Sequence, residues 1–293
     1  MSDSLSQQDS RVAFDRAAGD WLAWQQTPWA RVYYALVRHN LAALPVSPAR
    51  SLDVLDAGGA NGVDSLPLLE AGHRVTIVDC SSVLLSEAVA AAERSGLDRE
   101  RLRVEHRDLD DRRPLPVPAD STGWDLVLCH NVLHYRDDPA ELVGRLVAAT
   151  LPGGVLSLIA PNPAMDVLAA AVRDRDPGQG LAMLDAPTRR SVTVGEPMHR
   201  LERADVEAAV QAAGAVVTDR FGLRMVIDLV ADGDVKHDPE WLRQAMELEL
   251  ALCSRDPYRD VARFWQLVCR RPGPTRPARS PQAATRRAVP ALL

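Results

Sequence analysis

Residues 52–62, LDVLDAGGANG, constrain this chain more than any other stretch. Leu52, Val54 and Leu55 make an apolar strand that ends on an acid, Asp56. A turn of small residues follows, Ala57, Gly58, Gly59 and Ala60, and a helix is expected to begin near Gly62. Glycine has no side chain and tolerates positive φ, so a ligand can lie directly against such a turn. A second acid, Asp79, closes the next apolar strand, VTIVD. Acids at successive strand ends suit hydroxyl or ammonium groups rather than phosphate, the pattern of a nucleoside-type site. A GxGxxG dinucleotide fingerprint would need glycines at 58, 60 and 63, and the chain has Gly58, Ala60 and Val63.

From Leu52 onward strands and helices alternate, which predicts a parallel sheet covered by helices. Strands are expected at 52–57, 74–79, 102–107, 124–129 and 154–160, with helices near 62–71, 82–94 and 137–149. WDLVLC, 124–129, is a near-continuous apolar run, as a strand buried on both faces requires. LPGG, 151–154, is read as the turn from a helix into the fifth strand. The rhythm breaks over 163–200, read as an insertion above the strand ends, where ligands bind in such sheets. It resumes with a helix at 202–213, a strand at 214–221, a helix at 239–253 and a strand at 263–270.

Two helices are expected in 11–44. The first carries Val12, Phe14, Trp21 and Trp24 on one face, and the second starts at Pro28 with Trp29, Val32, Leu36 and Val37 inward. Residues 1–10 and the Arg/Pro-rich tail 272–293 are expected to be disordered, flanking a single domain over 11–271.

With 46% apolar residues and a net charge of −6, the chain can build a full core and has no general basic footprint for nucleic acid. Four scattered cysteines (Cys80, Cys129, Cys253, Cys269) form no CxxC and no zinc-ligand spacing, so no metal is expected. No apolar run reaches the roughly 18 residues of a membrane span, and the polar N-terminus is no secretory signal. A cytoplasmic, soluble protein with reduced thiols is expected.

The order of acid, small residue and glycine in Asp56–Gly62 resembles motif I, DxGxGxG, of class I S-adenosylmethionine methyltransferases, with Ala60 at the middle glycine. The resemblance implies an α/β fold. It is a Rossmann-like seven-stranded, mostly parallel sheet with N-terminal helices and an insertion after the fifth strand. It also implies S-adenosylmethionine as cofactor, held by Asp56, Gly58, Gly59 and Ala60, by Asp79 and Cys80, by Asp108 and Leu109 in HRDLD, and by His130 in CHNVLHY. In that pattern Asp79 grips the ribose hydroxyls and Asp108 accepts from the adenine amine. Plainer readings stand beside these: Asp79 as a cap of the next helix, Asp108 as part of a solvated acidic loop, His130 through its backbone alone.

A closer likeness runs through CHNVLHYRDDP, GGVLSLIAPN, FGLRMVID and ELELALCSRDPYRDVARF. These segments resemble the bacterial tRNA 5-carboxymethoxyuridine methyltransferases, which esterify a wobble-uridine carboxylate. In the last segment Glu247, Leu248, Glu249, Cys253, Pro257, Tyr258 and Arg263 match the family spacing. There are departures. The family's N-terminal arginine toward the cofactor carboxylate aligns with Tyr33, with Arg31 two residues earlier. Its histidine in the GxRxFHD pattern is Ile227, and its lysine-rich insertion is reduced to Arg189 and Arg190. For Ala60, cofactor binding is expected to survive if φ is negative.

A carboxylate acceptor is already ionised at pH 7, its reference pKa being about 4, and needs no base. It needs orientation, for which Arg224, Arg200 and Asn162 are the candidates. A hydroxyl or amine acceptor needs a base, and His134, Tyr135 and His199 are then the candidates. The expected acceptor is a carboxylate oxygen, that of wobble 5-carboxymethoxyuridine in tRNA being the one the resemblance implies. O- or N-methylation of a small metabolite, and a non-catalytic S-adenosylmethionine-binding regulatory or partner protein, are the alternatives.

Overall fold

The computed structural model describes residues 3–44, 50–111, 113–191, 193–231 and 233–273, with side chains from residue 12. Two helices, α1 (Asp3–Gln25) and α2 (Pro28–Ala42), precede the sheet. Then β1 (Asp53–Ala57), α3 (Leu66–Glu70), β2 (Arg74–Asp79), α4 (Ser82–Arg94), β3 (Leu102–His106), β4 (Trp124–His130), α5 (Pro139–Ala149) and β5 (Thr150–Pro161) alternate. The stretch 163–200 holds α6 (Pro163–Leu168), α7 (Pro177–Met183) and a hairpin of β6 (Thr188–Arg190) and β7 (Pro197–His199). The chain returns through α8 (Arg203–Ala212), β8 (Val216–Leu223), α9 (Pro239–Leu252) and β9 (Phe264–Arg270).

Seven strands form one sheet in the order β3-β2-β1-β4-β5-β9-β8. The first five pair in parallel, while β9 runs antiparallel to both neighbours. The chain winds outward from β1 to β3, then crosses back to lay β4 on the other side of β1. Between β1 and β4 lies the switch point, where an open α/β sheet leaves a crevice beyond the strand carboxyl ends.

Residues alternate across the sheet because successive Cβ atoms point to opposite faces. Val54, Ile77, Leu126 and Leu128 pack on one side with α2, α3 and α4. Leu55, Val78, Val127 and Cys129 pack on the other with α5 and α8. On α2, Val32, Leu36 and Val37 are fully buried and Thr27 caps the first turn, accepting from the Ala30 N–H.

Several expectations are corrected. Residues 3–10 are helical, the start of α1: no Pro or Gly interrupts the chain before Gly19. Residues 1–2 and 274–293 lie outside the described residues. On α1, Val12 is exposed, whereas Phe14, Trp21 and Trp24 are half-buried. The helix expected at 62–71 shrinks to α3, because Gly62 sits at φ +73° and Pro67 occupies the first turn. Leu151–Gly154 belongs to β5 as an irregularity: the pairing jumps from Trp124↔Thr150 to Leu126↔Val155.

The Glu249 carboxylate of α9 accepts backbone N–H groups from Met225, Val226 and Ile227 at 2.7–3.0 Å. Burial raises its pKa, opposed by those hydrogen bonds. It ties α9 to the segment after β8. Glu249→Ala strands three donors in a buried setting, and urea unfolding is expected to show a loss of about 3 kcal/mol or more.

Candidate active site

A cavity of about 390 Å³ opens above the switch point. Its floor carries Gly58 and Ala60 after β1, Asp79 and Cys80 at the end of β2, and His130 to Val132 at the end of β4. Phe14, Trp21 and Trp24 of α1 and Trp29 of α2 wall one side, so three of the chain's six tryptophans face one space. Arg189, Ser191 and Met198 from the insertion wall another, with Arg224, Arg263 and Phe264 from the sheet's far end.

The glycine turn is shaped by what presses on it. A Cβ on Gly59 would lie 2.3 Å from the Asp56 carboxyl carbon, and one on Gly58, at φ +77°, 2.3 Å from Val132. Larger residues at either position would displace the acid or the loop after β4. Ala60 adopts φ +48°, so the proviso of negative φ is not met and its methyl is held in left-handed geometry. In return its N–H donates to Asp79 Oδ2 at 2.9 Å, while Asp79 Oδ1 accepts from the Ser81 N–H at 2.8 Å. The α4 cap itself is the Ser81 hydroxyl, which accepts from the Leu84 N–H.

Asp56 is 2% exposed and lines a second, small cavity of about 30 Å³ beside the large one, with Tyr33, Asp64 and His130. Its Oδ2 has no hydrogen-bond partner, and burial pushes its pKa up to about 7. His130 bridges Asp64 Oδ2 (2.8 Å) and the Ser157 hydroxyl (2.9 Å), so its ring is committed as well as its backbone. Asp108 and Leu109 both line the large cavity. Asp108 Oδ1 accepts from the Asp110 N–H and from Arg136, which also pairs with Asp110. Cys80 lines the cavity as a thiol, its pKa pushed up to about 12 by burial. Tyr33 is buried, its hydroxyl accepting from Asn131 Nδ2 at 2.8 Å, whereas Arg31 is exposed on the opposite side of α2.

At the far end the candidates separate. Arg200 is outside the cavity lining; its guanidinium donates to the carbonyls of Met183, Ala186 and Pro163 and braces the insertion. Asn162 is also outside: Oδ1 caps α6 at Ala164 and Nδ2 donates to the Asp260 carbonyl. Neither has an amide or guanidinium edge aimed at the cavity, because both are spent on backbone groups of the insertion and its anchor. Arg224 does line it, at φ +64° and 5.5 Å over the Phe264 ring, with its fork closed on Asp228 at 2.7 and 2.8 Å.

Among the three candidate bases, His199 is outside the lining and pairs loosely with Asp137 at 3.9 Å. Tyr135 lines the cavity, but burial raises its pKa. His134 also lines it, 3% exposed, with Nδ1 unpartnered; burial first, then Arg189 and Arg136, lower its pKa to about 3. Such an imidazole is neutral and a very weak base. Arg136, Arg189, Arg263 and the α1 aromatics are cavity residues that the motifs did not single out as site residues. The arginine directly after CHNVLHY was the legible signal for the first.

Among the described residues no cluster of three or more His, Cys, Asp or Glu is placed to hold a metal, and no helix is long and apolar enough to cross a membrane. The remaining orphan atoms suit an adenosyl amino acid: acids at two strand ends, one oxygen unpartnered, and a turn where Cβ atoms are excluded.

A family model described as "Methyltransferase domain" matches residues 55–156. The chain is 28% identical over 227 residues to a tRNA 5-carboxymethoxyuridine methyltransferase of Escherichia coli K12, covering 76% of this chain and 81% of that one. It is 30% identical over 192 residues to a trans-aconitate 2-methyltransferase of Paracidovorax citrulli, covering 58% of this chain and 69% of the relative. Among solved structures, magnesium protoporphyrin IX methyltransferase from Synechocystis PCC 6803, with bound SAH, superposes with a TM-score of 0.60. There identity is 17%, over 90% of this chain and 99% of that one.

Two substitutions test the geometry of the turn. Ala60→Gly relieves left-handed strain of about 1–2 kcal/mol, partly offset by glycine's larger unfolded entropy, so chemical denaturation is expected to show a net gain of up to about 1 kcal/mol. Asp56 holds its proton in the folded chain up to about pH 7, while the unfolded carboxyl loses it near pH 4. The folded state therefore binds more protons between those values, and stability falls as pH rises through that window. In Asp56→Asn that fall should flatten, read from urea midpoints between pH 4 and pH 8.

Proposed function

We propose that this chain, which belongs to the class I S-adenosylmethionine-dependent methyltransferases, transfers the methyl group to a carboxylate oxygen. One observation carries the reading: the far end of the cavity presents arginines, while His134 there is too weakly basic to serve and the Asp228 carboxylate is closed on Arg224. Arg189, Arg224 and Arg263 face the space, while His134 is held neutral and weakly basic by burial and by Arg189 and Arg136. A hydroxyl or amine would need its proton removed there; a carboxylate arrives ionised and needs only alignment.

When bound, S-adenosylmethionine supplies an electrophilic sulfonium methyl. In this reading Asp79 accepts from the ribose hydroxyls, its free lone pairs lying beside the two backbone N–H groups that orient it. Asp108 and Leu109 border the adenine, the turn Gly58–Ala60 lies under the amino-acid portion, and Asp56 faces its ammonium. The aromatic wall of α1 and α2 excludes water, which strengthens every charge interaction inside. Arg224, closed on Asp228 and held over the Phe264 ring, packs the far wall of the cavity.

The acceptors printed in the two relatives' names, carboxymethoxyuridine and trans-aconitate, are both carboxylic acids. Wobble 5-carboxymethoxyuridine in tRNA is the first acceptor to test, since that likeness spans most of the chain. A small carboxylic acid is the second. Incubation with isotopically labelled S-adenosylmethionine, in parallel with tRNA carrying the free acid and with a metabolite extract, decides. A base-labile label on the wobble uridine is the expected result; a base-labile label only in small acids moves the acceptor to metabolites. A base-stable label overturns carboxylate transfer. Asp79→Ala is expected to weaken S-adenosylhomocysteine binding roughly tenfold to a hundredfold in calorimetry, the loss of charged hydrogen bonds.

A further inference from the structure

The arginines at the far end are not equivalent. Arg224 and Asp228 form a closed pair, fork on carboxylate, with no charge left over. Asp166 is different. Its side chain is 4% exposed, it lies behind the cavity wall, and three guanidiniums gather on it: Arg263 on Oδ1 at 2.6 Å, Arg189 on Oδ2 at 3.3 Å and Arg200 on Oδ2 at 3.6 Å. One carboxylate cannot neutralise three cations, so this corner carries surplus positive charge in a largely buried setting. Isolated buried charge is costly unless paired. Burial and the neighbouring Arg263 push the Arg189 guanidinium below its ordinary pKa, the direction expected of a cation short of anions.

Arg200 spends its remaining donors on three carbonyls and stays out of the cavity. Arg189 and Arg263 both line it. Arg189 reaches Asp166 through Nε, and among the described residues its two terminal nitrogens make no hydrogen bond. Arg263 reaches Asp166 through Nη1, leaving Nε 4.0 Å from Asp228. The two side chains come from different parts of the chain, the β6 strand of the insertion and the residue just before β9. Asp166, on α6, fixes both from behind through opposite oxygens of one carboxylate.

We propose that Arg189 and Arg263, backed by Asp166, form the subsite that holds the acceptor's carboxylate, and that Arg224 does not. This rests on the carboxylate reading above. A planar carboxylate matches the free fork of Arg189 bidentately, with Arg263 closing on the same anion. Because Arg189 is on the insertion, the acceptor itself ties the insertion to the sheet: an anion in this corner bridges β6 to β9.

The experiment uses the cavity tryptophans as reporters. With S-adenosylhomocysteine saturating, intrinsic fluorescence is followed while the full chain is titrated with benzoate, and in parallel with benzamide, its neutral counterpart of similar shape. Wild type is expected to bind benzoate at least tenfold more tightly than benzamide. Arg189→Met, which keeps the apolar stem, and Arg263→Met should each cut that ratio to within about threefold, while Arg224→Met retains it. S-adenosylhomocysteine affinity should stay within twofold in Arg189→Met, which separates subsite loss from unfolding. Equal affinity for benzoate and benzamide in wild type overturns the proposal. So does a ratio preserved in both Arg189→Met and Arg263→Met, or one lost only in Arg224→Met. The carboxylate reading fails separately: a base-stable label in the transfer assay with the benzoate preference intact removes ester formation and leaves the anion subsite standing.

Discussion

The hydrogen bond from the Ala60 N–H to the Asp79 carboxylate holds the ligand-binding edge of this sheet together. It joins the turn after β1 to the acid that ends β2, across two parallel strands whose register pairs Ala57 with Val78. To make it, the chain accepts left-handed geometry at a residue with a Cβ. Gly59 must also be bare, because the Asp56 carboxylate fills the space a side chain would take. With the turn so placed, Gly58 packs against Val132 of the loop after β4, and the crevice at the switch point acquires a floor of backbone and two acids. The α1 helix then closes over it: Asp15 accepts from the Ser81 hydroxyl, and Gln25 and Asn61 exchange two amide hydrogen bonds at 2.9 Å.

At the other end of the same cavity the governing quantity is charge. Asp166 and Asp228 are both buried, and together they meet four arginines, Arg189, Arg200, Arg224 and Arg263. The cations are brought there by the insertion and its exit, the segment after β8 and the approach to β9, three regions distant in sequence. Glu249 contributes from a fourth, holding residues 225–227 by their N–H groups and so placing Arg224 and Asp228 on either side of them. The acidic chain as a whole thus carries a local cationic corner, which its net charge of −6 conceals.

Much of the fold was legible because it is written in short-range pattern. The acid-glycine turn, the apolar runs of β1, β2, β4 and β5 and the helices α4, α5 and α9 follow from period and capping residues. That Asp79, Asp108 and Leu109 border the crevice was legible from their positions at or just after strand ends. Arg200 and Asn162 misled because an arginine and an asparagine near a strand end read alike whether their donors face a ligand or a carbonyl. Only the path of the insertion shows that Arg200 is enclosed by Met183, Ala186 and Pro163. Helix α1 misled in the opposite way: its polar first turns read as disorder, yet nothing there breaks a helix, and its second half is anchored on the sheet.

The sequence by itself determined the alternating sheet, its switch point and the glycine turn with its two acids, since these depend on residue type at fixed local spacing. Tertiary structure alone decided which arginines share one buried carboxylate, that His134 is shielded into a neutral, weakly basic state, and that three N-terminal tryptophans face the same space. Those properties depend on desolvation and on charges brought within a few ångströms from distant segments, and no local pattern encodes such distances.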